Sequence, residues 1–279
     1  MRYSIFLFFF ASAAFTSQAA EVDTVRIFSK AMQRSYKAVV VKPASYKKAG
    51  SRFETVYLLH GHGGSFSNWI KLVPQLKKYA DDYQLLIVCP EGKAESWYLN
   101  SPLSDSMQFE TYIAKEVPAF IDAQYKTIAQ RKSRAITGLS MGGHGGLFLG
   151  FRHQDIFSAC GSMSGALLLR SITDKRYGIE KLLGDSTQLQ AYYDNSIMKQ
   201  LDLKNKDSLA IMIDCGTEDF IVGMSRAVHA RMLELKVPHD YIERPGRHDW
   251  NYWRTAVQYQ LLFFRNYFDS QKRLASSPK

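Results

Sequence analysis

"ITGLSMGGHGG", residues 136–146, places Ser140 in a frame of five glycines (Gly138, Gly142, Gly143, Gly145 and Gly146) directly after an apolar run. A simple turn needs one such residue, or two. Gly138-Leu139-Ser140-Met141-Gly142 is a G-x-S-x-G pentapeptide between the strand-like "SRAITG" and a helix expected over 141–151. In a sharp strand–turn–helix elbow a side chain at the glycine positions would strike the neighbouring strand or helix, so glycine is required there. A serine hydroxyl is a poor nucleophile unless it is held exposed beside a base, and the elbow does this. The helix that follows also aims its N-terminal N–H groups at the place where negative charge develops. Ser140 is therefore the expected nucleophile, and a strand-to-helix elbow fixes the fold class.

The elements on either side agree with that class. The pattern predicts strands at "SYKAVVVKPASY" (35–46), the start of "FETVYLLHGHGG" (53–64), "YQLLIVCPEG", "SRAITGLS", "IFSACGSMSG", "SLAIMIDCGTED" (208–219) and "HDYIERPGRHDW" (239–250). Helices are expected over "SFSNWIKLVPQLKKYADD" despite Pro74, over 105–125, over 223–236 and from about 250 to 268. Short, almost continuous apolar strands alternating with helices mean a mainly parallel central sheet covered on both faces, an α/β architecture. Residues 166–207 are polar and irregular between two strong strands. They suit a small cap inserted over the sheet, or an ordinary long crossover. One domain over 20–279 is expected.

The chain of 279 residues is 46% hydrophobic and 22% charged, ordinary globular composition that argues against disorder. Its N-terminus has the three parts of a secretory signal: Arg2, the short apolar "IFLFFFASAAF", and small residues for cleavage after Ala19. The apolar stretch falls short of the ~20 residues of a bilayer-spanning helix, so export is expected over an uncleaved anchor. Location in a periplasm or outside the cell follows, with no membrane anchor after cleavage. Cys89, Cys160 and Cys215 each lie in strand-like runs and read as buried thiols, not as a disulfide framework. The net charge of +10 is scattered in pairs such as Lys77–Lys78 and Arg131–Lys132, which suits a solvated face and excludes a dedicated nucleic-acid arm.

A base and an orienting acid should follow the nucleophile in the order Ser, Asp/Glu, His. His248, in "RPGRHDW" between a strand and the last helix, is placed to swing an imidazole over the sheet. His60 and His62 precede Ser140; His144, His153 and His229 fall within helices; His239 enters a strand. "IDCGTED" offers three acids. Asp214 still lies in the strand and reads as a hydrogen-bonded structural carboxylate, while Asp219, past the glycine turn, has better reach to His248. The oxyanion needs two N–H donors: Met141, after the nucleophile, and His62 in the "LLHGHGG" loop. His60 and His62 lack further ligands nearby, so no metal is expected, and no cofactor.

Taken together, "LLHGHGGSFSNW", "SWYLNS", "RAITGLSMGGHGG", "FSACGSMSG", "IDCGTEDF" and "ERPGRHDWNYW" resemble the esterase D / tributyrin-esterase-type group of α/β-hydrolases. That group includes S-formylglutathione hydrolases, feruloyl and acetylxylan esterases, and mycolyltransferases. The resemblance spans roughly residues 35–268 and implies Ser140 as nucleophile, His248 as base, Asp219 as acid, and His62 and Met141 as oxyanion donors. Two departures stand out. His144 occupies a position where the group commonly has an aromatic residue, and the secretory signal sits badly with a cytosolic formylglutathione role. The expected activity is that of an exported serine carboxylesterase acting on short acyl esters, or on acetyl or feruloyl esters of polysaccharide. Acyl transfer to a sugar hydroxyl, or a non-catalytic carbohydrate-binding protein on the same scaffold, are the alternatives. Trp97 and Tyr98 are the expected substrate contacts, with Trp69 and Trp250 as further candidates, and Leu167–Leu169 and Tyr192–Tyr193 from the insertion. Trp253 is expected in the core.

Overall fold

A computed structural model describes residues 19–172, 174–185, 187–201 and 209–276. The expected signal peptide (1–19) thus lies outside the described residues except for Ala19, as does the end of the expected insertion. Among the described residues, eight strands form one sheet: β1 (Glu21–Ser29), β2 (Arg34–Lys42), β3 (Glu54–Leu59), β4 (Leu85–Pro90), β5 (Arg134–Gly138), β6 (Ala159–Met163), β7 (Ala210–Gly216) and β8 (Asp240–Arg244). Their spatial order is β1-β2-β4-β3-β5-β6-β7-β8. β2 is antiparallel to both β1 and β4, and every pair from β4 to β8 is parallel. This is the mainly parallel α/β sheet that the apolar runs predict.

The strand period of two divides the core into two layers. Val56 and Leu58 of β3 face a layer built with α1 (Asn68–Leu72), α2 (Leu76–Tyr83) and α10 (Trp250–Ser276). Tyr57 and Leu59 face the other, built with α3 (Phe109–Thr111), a π turn (Tyr112–Glu116), α4 (Val117–Gln124), α5 (Met141–Arg152) and α9 (Val222–Glu234). Cys89, Cys160 and Cys215 are free and buried in the strands. Burial raises all three thiol pKa values, that of Cys215 to about 12.

Several boundaries differ from the pattern reading. The helix expected over 105–125 starts at Phe109 and contains the π turn, and the last helix runs on to Ser276. Three further differences bear on the sheet and its first helices. The single helix expected across Pro74 is two, because α1 ends at Leu72 and α2 begins at Leu76; proline lacks the N–H and clashes with the preceding turn. The strand expected over 35–46 stops at Lys42, where Pro43 opens a 3-10 turn (Ala44–Lys47). β1 is an additional edge strand, its register running from Glu21 opposite Lys42 to Ser29 opposite Arg34. Between β6 and β7, the described residues form 3-10 turns at Leu169–Ser171 and Lys175–Tyr177, then α6 (Glu180–Leu183), α7 (Leu189–Asp194) and α8 (Ile197–Leu201). Leu167, Leu169, Leu182, Ile197 and Leu201 of this segment are buried in the same layer as α5 and α9.

Candidate active site

The elbow is built as its glycines require. Ser140 sits between β5 and α5 at φ 54°, ψ −116°, a left-handed conformation costly for a residue with a side chain. Bonds on both sides hold it there: its N–H donates to Met163 O at 2.9 Å, and its carbonyl accepts from His144 N at 3.0 Å and Ala166 N at 3.2 Å. A Cβ on Gly142 would lie 2.5 Å from His60 O, and one on Gly138 would lie 2.6 Å from Gly142 O. These contacts bring α5 down onto β3 and leave Ser140 partly exposed at the sheet's C-terminal edge.

His248, between β8 and α10, accepts from Ser140 Oγ at Nε2 across 3.0 Å and donates from Nδ1 to Asp219 Oδ2 at 2.8 Å. The other oxygen, Asp219 Oδ1, accepts from Ile221 N at 3.0 Å. A carboxylate with both oxygens occupied fixes the imidazole tautomer that leaves Nε2 free to accept. Burial works to raise the Asp219 pKa, but the His248 hydrogen bond and charge and the Ile221 amide outweigh it and hold the carboxyl below its usual range. Asp214 is elsewhere: fully buried on β7, it accepts from Arg244 at 2.7 Å and from the Tyr252 hydroxyl.

The loop after β3 is fastened from several sides. His60 donates to Gly61 O from Nδ1 at 2.8 Å and accepts from Gly92 N at Nε2 across 2.9 Å. Gly63 N and Gly64 N donate to Ala94 O and Gly61 O, while among the described residues no protein acceptor meets the His62 amide. His62 lines the cleft, and burial lowers its ring pKa. Met141 is the first residue of α5, so its amide is one of the helix's unpaired N-terminal donors. The loop and the helix end thus border the same cleft around Ser140.

That cleft, about 400 Å³, is walled by Trp97, Tyr177, Phe220, Trp250 and Trp253. Trp97 is 2% exposed and donates from Nε1 to Tyr177 O at 2.8 Å, which ties the β4–α3 loop to the β6–β7 segment. Tyr98 corrects the sequence reading. It is fully buried beneath the cleft, its hydroxyl donating to His60 O at 2.9 Å, so it supports the loop and does not face a substrate. Trp69 is likewise buried, its Nε1 donating to Leu59 O at 3.0 Å. Trp253 is buried in the core layer with α1, α2 and α10, as expected, and also lines the cleft, meeting the His248 ring edge-on at 5.0 Å. From the β6–β7 segment Ala166, Ile172 and Tyr177 border this cleft. Leu167 and Leu169 are buried in the core, and Tyr192 and Tyr193 line separate surface hollows. Phe220, Tyr177 and Ile172 were not among the expected contacts. The one sequence signal was Phe220's place directly after the expected acid.

Comparison with known proteins follows the same lines. The Esterase family model ("Putative esterase") matches residues 29–264. An acetyl esterase of Caldicellulosiruptor saccharolyticus is 23% identical over 258 residues, covering 84% of this chain and 94% of the relative. Esterase Rv1288 of Mycobacterium tuberculosis is 25% identical over 75% of this chain, a match that spans 51% of that longer protein. Among solved structures, a ferulic acid esterase superposes with a TM-score of 0.79 at 27% identity, covering 90% of this chain and 99% of the other.

Proposed function

The chain belongs to the esterase family of carboxylic ester hydrolases, and from that premise we propose that it is an exported serine esterase working through Ser140, His248 and Asp219. The observation that carries the reading is the continuous relay of 3.0 Å and 2.8 Å contacts from Ser140 through His248 to Asp219, on the floor of an aromatic cleft. His248 takes the Ser140 proton as the oxygen attacks the ester carbonyl. The oxyanion forms against the Met141 and His62 amides. As the tetrahedral intermediate collapses, the proton passes from His248 Nε2 to the departing alcohol and leaves an acyl-serine. Water, deprotonated by the same imidazole, then attacks the acyl-serine and releases the acid. Asp219 holds the ring and stabilises its charged form throughout.

Short acyl esters, or acetyl and feruloyl esters of polysaccharide, are the proposed substrates. Support comes from the tryptophan-lined cleft and from similarity to an acetyl esterase and a ferulic acid esterase. Export rests on the basic–apolar–small pattern of residues 1–19, and the 166–207 segment is read as a small cap whose Ala166, Ile172 and Tyr177 border the cleft. Residues 20–279 are expected to hydrolyse p-nitrophenyl acetate and butyrate and to be labelled by a fluorophosphonate. Ser140→Ala should lose labelling and about three or more orders of magnitude in kcat. Equal inertness of both proteins would sink the reading.

A further inference from the structure

Phe220 is 71% exposed, yet it does not hang loose. Its neighbours are pinned: Ile221 N donates to Asp219 Oδ1 at 3.0 Å, Val222 N to Asp219 O at 3.1 Å, and Met224 N to Ile221 O at 2.9 Å. The fixed backbone lays the phenyl ring against the His248 imidazole, with ring centres 4.7 Å apart and planes tilted by 59°. The rest of the ring is open to the cleft that it lines. Trp97 and Trp253, which wall the same cleft, are 2% and 7% exposed. Tyr177 and Trp250 are half-buried, so Phe220 is the most exposed aromatic of the cleft.

The proton route decides which half of a substrate meets this ring. His248 Nε2 must hand its proton to the departing oxygen, so the alcohol lies on the His248 side of Ser140. The oxyanion faces the Met141 and His62 amides, and His62 meets Tyr177 ring to ring at 5.3 Å. Trp97, whose Nε1 is tied to Tyr177 O, therefore stands with Tyr177 on the His62 side of the cleft, whereas Phe220 stands on the His248 side.

Resting on the esterase reading above, we propose that Phe220 is the seat of the leaving alcohol and selects alcohols that present a flat, apolar-faced ring. Such a ring, whether the C–H face of a sugar or an aryl group, covers the exposed phenyl surface in a way that a small alkyl alcohol cannot. Phe220 is here a specificity-determining residue; the proton transfers remain with His248.

The test holds the acyl group constant. kcat/KM, which reports steps through acylation, is measured for methyl acetate, benzyl acetate and 6-O-acetylglucose with wild type, Phe220→Ala and Phe220→Tyr. The alanine variant is expected to lose about ten-fold more on a ring ester than on methyl acetate, as for a lost aromatic contact. A loss on 6-O-acetylglucose alone assigns the seat to a sugar, on benzyl acetate alone to an aryl group, and on both to either ring; each supports the proposal. Phe220→Tyr, which keeps the ring, should restore the ring esters. An equal loss on all three acetates would mean that the phenyl ring only packs the imidazole, which overturns the proposal, as would a loss that instead follows chain length between p-nitrophenyl acetate and butyrate. Wild type inert on every ester overturns the esterase reading and this inference with it.

Discussion

Asp214 and Asp219 flank one glycine turn, and their surroundings push them apart. Burial raises the Asp214 pKa more than the Tyr252 hydroxyl and the Arg244 charge lower it, whereas the His248 contact prevails over burial at Asp219. Asp214 ties together both ends of the loop that carries His248, since Arg244 ends β8 and Tyr252 lies in the first turn of α10. Substitution should therefore separate stability from rate. Asp219→Asn, which favours the wrong His248 tautomer, is expected to lower kcat by about three to four orders of magnitude with the urea midpoint nearly unchanged. Asp214→Asn leaves Arg244 without its counter-charge and should cost about 2 kcal/mol of stability while kcat falls less than about ten-fold. Reversed effects would make Asp214 the acid. The choice between these acids could be read from the sequence, because chain order and the glycine turn limit reach. Tyr177 and Ile172 could not be read, since they arrive from a segment with no regular period, and Tyr98 follows Trp97 in sequence but points beneath the cleft.

At the scale of elements, the apolar runs marked β2 to β7 because a strand covered on both faces has little choice of residue. β1 escaped because its exposed and buried residues mix polar and apolar side chains, as an edge strand allows. The Pro74 break was visible as a residue, but its effect depends on whether a neighbouring element supports a kinked helix, which is a tertiary matter. The elbow is different, because its glycine pattern has a steric cause within a few residues. Two glycine-to-alanine changes should show this. Gly142→Ala drives a methyl against His60 O and Leu59 O, both backbone atoms that cannot swing aside. It should cost about 1–3 kcal/mol and lower kcat by shifting Ser140 and Met141. Gly223→Ala, in the first turn of α9 with no atom within 4 Å of the new methyl, should be neutral or stabilise by up to about 1 kcal/mol. Chemical denaturation of both variants checks the contrast, and equal destabilisation would count against close packing as the reason for the glycine frame.

Across the whole molecule, burial lowers the ring pKa of His62, His229 and His144, and His144 is the fully buried one, set where the nucleophile helix meets the β6–β7 segment. His144 of α5 is fully buried, shares a 2.8 Å hydrogen bond from Nε2 with the Asn195 carbonyl beyond α7, stacks on Phe148 and meets Trp97 edge-on at 6.0 Å. Burial lowers its pKa to about 4, against the weaker pull of the Asn195 and Trp97 carbonyls. Above its ordinary value of 6.5 the ring is neutral in both the folded and unfolded chain and stability does not change on its account. As pH falls from 6.5 towards 4 the unfolded chain takes up a proton that the folded protein refuses, so stability drops by about 3 kcal/mol over that window. Carboxylates act lower down. Glu243, held at about 2 by Arg226, adds stability above 4.5 that is lost only as pH falls towards 2. The acid loss above the carboxylate range should therefore belong to the buried histidines, His144 foremost. His144→Phe keeps a ring against Phe148 and Trp97 but removes the titration, at the cost of the Asn195 contact. Its melting temperature should start lower at pH 7 and fall less between pH 6.5 and 4.5 than that of the wild type. Parallel curves would place the acid-labile group elsewhere. A flatter curve would show that the histidine at this position trades acid tolerance for a hydrogen bond joining the nucleophile helix to the segment above it.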